Sequence, residues 1–153
     1  AAAWTIRSPS ADRCRGVLAA LPPWSGEVGD SLAALSAQIT ADAIERDGLE
    51  PTIEQMSATS PPWLAAELTR SWRSLADRGL VEQLRAAATY PAPTVREMAR
   101  LPVPLGVAAA PDDPLHPIEV GRAWTLAAPR GALREVNRGV AGTDTLKQQL
   151  LGL

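Results

Sequence analysis

Residues 101–137 read LPVPLGVAAAPDDPLHPIEVGRAWTLAAPRGALREVN, and this stretch decides the fold. It opens with a continuous apolar run at 103–110, which predicts a buried strand. A polar turn follows at 111–117, and apolar side chains then recur at helical spacing over 118–128. Alternation of apolar and polar residues at 132–137 predicts a half-buried strand. A strand–helix–strand succession of this length indicates a parallel sheet flanked by helices.

The sequence upstream of this stretch has a different character. An apolar run at 15–23, closed by two prolines, fits another buried strand, with a short helix as the alternative. Beyond it, helical spacing interrupted by Pro and Gly predicts four short helices, at 31–47, 50–58, 62–75 and 80–89. After the last strand a closing helix is expected at 143–151. We therefore divide the chain into residues 1–29, with the end of a helix and a core strand, a helical segment at 30–101, and a strand–helix–strand–helix core at 102–153.

The counts of reactive residues exclude several classes of protein. The 153 residues include one histidine, His116, and one cysteine, Cys14, so one chain can form neither an internal disulfide nor a His/Cys zinc site. A net charge of −2 argues against the clustered positive charge of a nucleic-acid-binding surface. The sequence has no signal-peptide pattern and no run of about 20 apolar residues that would cross a membrane. We therefore expect a cytoplasmic protein that uses no metal or cofactor and binds neither nucleic acid nor a membrane.

Residues 101–137 resemble the C-terminal part of the α/β-hydrolase superfamily. In that family a strand with a Val-Pro-like entry leads into a turn of the form G-x-x-D-x-x-x-P. The aspartate of this turn is the acid of the family's Ser-Asp-His triad. The resemblance places Asp113 at the acid and Pro117 at the proline, while Ala110 stands where glycine is usual. It implies an α/β fold: the C-terminal part of a hydrolase-like parallel sheet with a helical cap inserted.

The same resemblance assigns the upstream parts. Residues 1–29 match the end of the nucleophile helix and the core strand after it, and residues 30–101 match the cap or lid that covers the pocket. Within that cap, Trp63 and Trp72 are candidates to line a lid pocket for a small-molecule substrate. Because half a sheet leaves a strand edge exposed, we expect self-association or pairing with another chain through that edge.

Two departures from the family bear on catalysis. The G-x-S-x-G elbow that carries the serine nucleophile does not occur in the sequence. The family's catalytic histidine follows the last strand, but Val140 stands near that place. A serine hydroxyl needs a neighbouring base to act as a nucleophile. The resemblance thus implies hydrolysis of a small ester, lactone or other acyl-type substrate with Asp113 as the acid, while we expect this chain by itself to be inactive.

Two alternatives remain open at this point. The loss of both serine and histidine fits a non-catalytic domain that binds a ligand or partner through the helical segment. The sequence Gly-Asp-Ser-Leu at 29–32 resembles instead the nucleophile motif of GDSL-type esterases, which would combine Ser31 with Asp113 and His116. Against the second alternative, no apolar strand is expected just before the motif, and Ser31 suits the N-cap of a helix. His116 is otherwise a turn residue, close enough to Asp113 in sequence to touch it.

Overall fold

The computed structural model describes residues 2–9 and 11–136. Within these ranges helices predominate and three strands form one sheet. In chain order the elements are α1 (Ala2–Arg7), β1 (Val17–Ala20), α2 (Leu32–Asp47), α3 (Leu49–Thr59), α4 (Pro62–Leu75), α5 (Leu80–Thr89), α6 (Val95–Met98), β2 (Leu105–Ala109), α7 (Ile118–Ala127) and β3 (Gly131–Glu135). The strand–helix–strand succession predicted from 101–137 is confirmed, whereas the helix expected at 143–151 lies outside the described residues.

The chain divides into two compact units. The first contains the described residues up to Ser31 and from Pro91 onward, and the second is Leu32–Tyr90. Of the helical segment expected at 30–101, residues 32–90 form the second unit. Residues 91–101 belong to the first unit instead, because Met98 and Leu101 are buried in the core of that unit.

The sheet of the first unit is parallel, in the order β1–β2–β3. Val17 pairs with Leu105, and Leu105 pairs on its other side with Gly131. Since the strands run in the same direction, all three end at the same edge, which we call the carboxyl edge. The α/β class predicted from the sequence is thereby confirmed.

One side of this sheet, which we call the covered face, packs against helices. Its side chains join one buried core with Met98 and Trp124; they are Val17, Ala19, Leu105, Val107, Ala109 and Leu133. Helix α7 lies close to the strands at Gly121, where an added Cβ would stand 3.1 Å from side-chain atoms of Val107 and Ala109. A glycine at this point therefore lets the helix and the sheet approach closely.

The other side, which we call the open face, carries the alternate residues of the same strands: Leu18, Ala20, Gly106, Ala108, Ala132 and Arg134. Leu18 is 63% exposed there, and Ala20 and Ala132 are exposed as well. Toward the carboxyl edge Ala108 is buried in a small cluster with Leu21, Ala110 and Val136. Leu21 adopts a φ of 51° directly after β1, in the left-handed region that few leucines occupy.

Helix α6 was not predicted from the sequence, because its four residues are too few to show a helical spacing of apolar side chains. Its signal is a capping box: Thr94 Oγ1 accepts a hydrogen bond from Glu97 N, and the Glu97 carboxylate accepts one from Thr94 N. Arg7 of α1 also donates to Glu97, with a distance of 2.9 Å between Arg7 Nε and Glu97 Oε1. The capping box and this ion pair fix the helix that brings Met98 into the core.

The second unit is built from α2 to α5, and its helix bounds differ from the predicted ones by at most one residue. Pro62 begins α4, and Gly79, with a φ of 75°, precedes α5. Its buried centre comprises Ile53, Trp72 and Leu80.

Candidate active site at the carboxyl edge

The loops that follow β1 and β2 both begin at the carboxyl edge of the sheet. In open α/β sheets, ligands bind outside the carboxyl ends of the strands, so this edge is where a site is expected. Residues 110–117, which we call the acid turn, connect β2 to α7 and carry Asp113 and His116.

The Asp113 side chain is fully buried, with 0% of its surface exposed. Its Oδ1 accepts a hydrogen bond from the backbone N–H of Leu115 at 3.0 Å, an arrangement typical of aspartates in turns. The backbone N–H of Asp113 points back to the carbonyl oxygen of Ala110, 3.4 Å away. One carboxylate oxygen thus holds the turn, and the second is directed elsewhere.

That second oxygen, Oδ2, lies 2.7 Å from Nδ1 of His116. Since a carboxylate only accepts hydrogen bonds, Nδ1 carries the proton in this pair, and the neutral ring then has its free lone pair on Nε2. The imidazole is 27% exposed. The acid turn therefore brings together a buried acid and an oriented, partly accessible imidazole, which is the contact that the sequence spacing allowed.

The loop after β1 is tied to α7 through Ser25. The indole N–H of Trp124 donates to Ser25 Oγ at 3.0 Å, and Ser25 Oγ donates to the carbonyl oxygen of Pro93 at 2.9 Å. Gly26 and Ala92 extend this connection by backbone hydrogen bonds between the two loops. Ser25 is thus a structural residue, and no sequence pattern revealed its role, because its partners lie far away in the chain.

Ser31 lies directly before α2, in the position of an N-cap residue, and its backbone N–H donates to the carbonyl oxygen of Val28. The preceding residues form bends and turns in which Gly26 and Gly29 have positive φ angles, not the strand that a GDSL-type motif should follow. Ser31 belongs to the loop after β1, whereas Asp113 and His116 belong to the acid turn.

Cys14 lies at the opposite end of the sheet from the acid turn, because it precedes β1. Its Sγ accepts from Thr5 Oγ1 and donates to the carbonyl oxygen of Gly16, both at 3.3 Å. A five-residue strand is about 16 Å long, which separates this thiol from groups at the carboxyl edge. Cys14 is therefore remote from Asp113 and His116.

The two tryptophans proposed for a lid pocket both belong to α4 of the second unit. Trp72 is 8% exposed and packs with Ile53 and Leu80, while Trp63 is half-buried near the start of the helix. Their role in binding stays a prediction. Val140, which stands near the family's histidine position, lies outside the described residues.

No group of three or more His, Cys, Asp or Glu side chains in the described part of the chain is arranged to hold a metal ion. The helices that the structure describes are also too short or too polar to span a bilayer.

Comparison with known proteins gives matches in structure but not in sequence. No family model matches the chain, and no curated protein matches it in sequence. Among solved structures, it is similar to MenH from S. aureus, with a TM-score of 0.71 and 14% identity over 99% of this chain and 62% of that one. It is also similar to BpoC from Mycobacterium tuberculosis H37Rv, described as a non-heme bromoperoxidase, with a TM-score of 0.63 and 17% identity over 99% and 60%.

A third match is MGS-M2, described as an α/β-hydrolase enzyme from a deep-sea metagenome library, with a TM-score of 0.57 and 10% identity over 99% and 59%. The chain has an α/β-hydrolase fold. It spans about three fifths of the length of these structures, so it represents part of that fold. The resemblance inferred from 101–137 is thus confirmed at the level of the fold.

Proposed function

We propose that this chain is part of a hydrolase that cleaves a small ester, lactone or other acyl-type substrate, with Asp113 as the acid of its site. The observation that supports this proposal is the buried Asp113 carboxylate at the carboxyl edge, hydrogen-bonded through Oδ2 to Nδ1 of an imidazole. In Ser-His-Asp catalysis, the buried acid bonds to Nδ1–H of histidine, holds the reactive tautomer and stabilises the imidazolium that forms.

The nucleophile is the part that the chain does not supply. The sequence contains no G-x-S-x-G, and Ser25 is engaged with Trp124 and Pro93. We therefore expect the 153-residue chain by itself to show no turnover of acyl esters. The similar structures carry different descriptions, among them a non-heme bromoperoxidase and an α/β-hydrolase enzyme, and one fold supports many chemistries. The proposal of an acyl substrate therefore rests on the acid turn and not on these structures.

The helical unit at 32–90 is proposed as the cap of this hydrolase. Its amphipathic helix α4, which carries Trp63 and Trp72, is the segment from which a lid pocket would be lined.

The test is a fusion in which the part of MenH from S. aureus that this chain does not match precedes Ala1. We expect the folded fusion to hydrolyse short-chain nitrophenyl esters, whereas the chain alone does not. The variant Asp113→Asn should lower kcat of the fusion by about 10²- to 10⁴-fold, because it favours the wrong tautomer of the base. The matched control is Asp112→Asn, which removes the neighbouring, exposed carboxylate. A folded fusion that hydrolyses no acyl ester would count against the proposed function.

A non-catalytic role remains the second candidate, and the lack of the G-x-S-x-G motif favours it. Under that alternative, the fusion folds and binds esters but Asp113→Asn changes neither binding nor hydrolysis.

A further inference from the structure

We propose that His116, on the same turn as the acid, is the general base of this site. The inference rests on the proposed function and names the residue that replaces the histidine the family carries after its last strand. His116 is the one histidine among the 153 residues, so it is the imidazole that this chain's own residues offer.

The geometry of the pair is the first argument. Asp113 uses its two oxygens separately: Oδ1 binds the backbone N–H of Leu115 and fixes the turn, while Oδ2 binds Nδ1 of His116 at 2.7 Å. The acid is completely buried, so no water competes for Oδ2 from bulk solvent. This is the contact by which a catalytic aspartate sets the histidine tautomer, with Nε2 left as the proton acceptor.

The surroundings of the imidazole are the second argument. His116 is 27% exposed, so the ring is accessible from outside while its partner is not. The acid turn is rigid on both sides of the ring, because Pro114 and Pro117 restrict the backbone and α7 begins at Ile118. A base held in one orientation on a rigid turn is pre-organised for proton transfer.

The step that follows is general-base catalysis. Nε2 of His116 takes the proton of an attacking serine hydroxyl as its oxygen bonds to the acyl carbon, and the imidazolium hydrogen-bonds to the Asp113 carboxylate. When the tetrahedral intermediate collapses, the bond from the acyl carbon to the leaving oxygen breaks, and the imidazolium returns the proton to that oxygen. The serine would come from the same G-x-S-x-G segment that the proposed function requires.

The chain as it exists tests the tautomer directly. Because His116 gives the only histidine signals, long-range ¹H–¹⁵N correlation spectra of the ¹⁵N-labelled chain report on this ring without assignment. In the neutral imidazole we expect the proton on Nδ1, because Oδ2 of Asp113 accepts from that nitrogen. The variant Asp113→Asn should move it to Nε2, because the amide can donate to Nδ1, and the control Asp112→Asn should leave it in place. A proton on Nε2 in the wild-type chain would overturn the proposal.

Reactivity of Nε2 gives the second measurement. Diethyl pyrocarbonate acylates a neutral imidazole at an accessible ring nitrogen. We expect its rate on the wild-type chain to fall about tenfold in Asp113→Asn, whose Nε2 is protonated, and to be unchanged in Asp112→Asn. Equal rates in wild type and Asp113→Asn contradict the assigned role.

The fusion separates this inference from the proposed function. If the fusion hydrolyses esters, His116→Gln should lower kcat by about 10²- to 10⁴-fold with little change in KM. An active fusion that tolerates His116→Gln would overturn His116 as the base while leaving the hydrolase proposal intact. An inactive fusion counts against the hydrolase proposal, and the tautomer and acylation measurements then still decide whether His116 has the reactivity of a base.

Discussion

The two faces of the sheet are made from the same three strands, yet their environments differ sharply. On the covered face, Val17, Leu105 and Val107 are at most 3% exposed, because α6 and α7 bring Met98 and Trp124 against them. On the open face, Leu18, the neighbour of Val17 in β1, is 63% exposed. Strand residues on alternate sides therefore have different roles: one set holds the first unit together, and the other includes exposed apolar residues at Leu18, Ala20 and Ala132.

The largest loss of stability is expected for a large side chain in the core of the covered face. Trp124→Ala removes a 6% exposed indole and its hydrogen bond to Ser25, so we expect the free energy of unfolding to fall by about 3–5 kcal/mol. Urea denaturation followed by circular dichroism measures the change. Leu126→Ala, on the same helix but 90% exposed, is the matched control, and we expect it to change stability by less than about 0.5 kcal/mol. Similar losses of unfolding free energy in both variants would show that the buried and exposed faces of α7 do not differ in their contribution to stability.

A second substitution tests how closely α7 approaches β3. At Gly131 an added Cβ would overlap the carbonyl oxygen of Thr125, which belongs to the α7 backbone. Gly131→Ala should therefore destabilise the chain by about 1–3 kcal/mol. In Gly16→Ala, by contrast, the nearest atom to the new Cβ, the Pro104 oxygen, stands at an ordinary 3.5 Å. If urea midpoints shift equally for the two variants, the contact between α7 and β3 is looser than described.

The support of the covered face by α6 should depend on pH. The Arg7 guanidinium, followed by the Thr94 backbone N–H, lowers the pKa of Glu97 from 4.5 to about 2. A carboxyl whose pKa is lowered by folding stabilises the protein above its unfolded pKa, and this contribution is lost as pH falls through the folded value. We expect urea midpoints to decline between about pH 4.5 and pH 2 less steeply in Glu97→Gln than in wild type. Parallel pH profiles would show that Glu97 does not contribute.

The smallest effect on stability is expected on the open face. Leu18→Ser should change the free energy of unfolding by less than about 0.5 kcal/mol, because the side chain is already in contact with water. Val17→Ser, one residue away and buried, should cost clearly more. Sedimentation velocity gives a second readout, since we propose self-association through the exposed edge of the sheet, where Leu18 lies in β1. Unchanged association in Leu18→Ser would argue against a contribution of this edge strand.

Sequence patterns predicted the elements whose signals are local. Pro62 and Gly79 marked the starts of α4 and α5, and the apolar runs at 15–23 and 103–110 contained β1 and β2. Helix α6 was missed, although Thr94 and Glu97 spell a capping box, because four residues provide no helical periodicity.

The candidate site was predicted in part. Asp113 and the closeness of His116 followed from a family pattern and a spacing of three residues. Asp113 binds Leu115 through one carboxylate oxygen and His116 through the other. This arrangement depends on the backbone conformation of the turn, which the spacing of residues in the sequence does not determine. The bridge from Trp124 through Ser25 to Pro93 joins distant parts of the chain, and for that reason a single sequence cannot reveal it.

The order of the strands has a consequence for how the chain folds. All of residues 32–90 lie between β1 and β2 in sequence, although these strands are direct neighbours in the sheet. Closing so long a loop costs conformational entropy before any strand pairing compensates for it, and such non-local contacts slow folding. During synthesis β1 can pair with β2 only after residues 32–90 have been made, whereas the contacts within 32–90 can form before β2 is complete. We therefore expect the helical unit to gain protection from hydrogen exchange before the sheet does, with the carboxyl edge and its acid turn completed last.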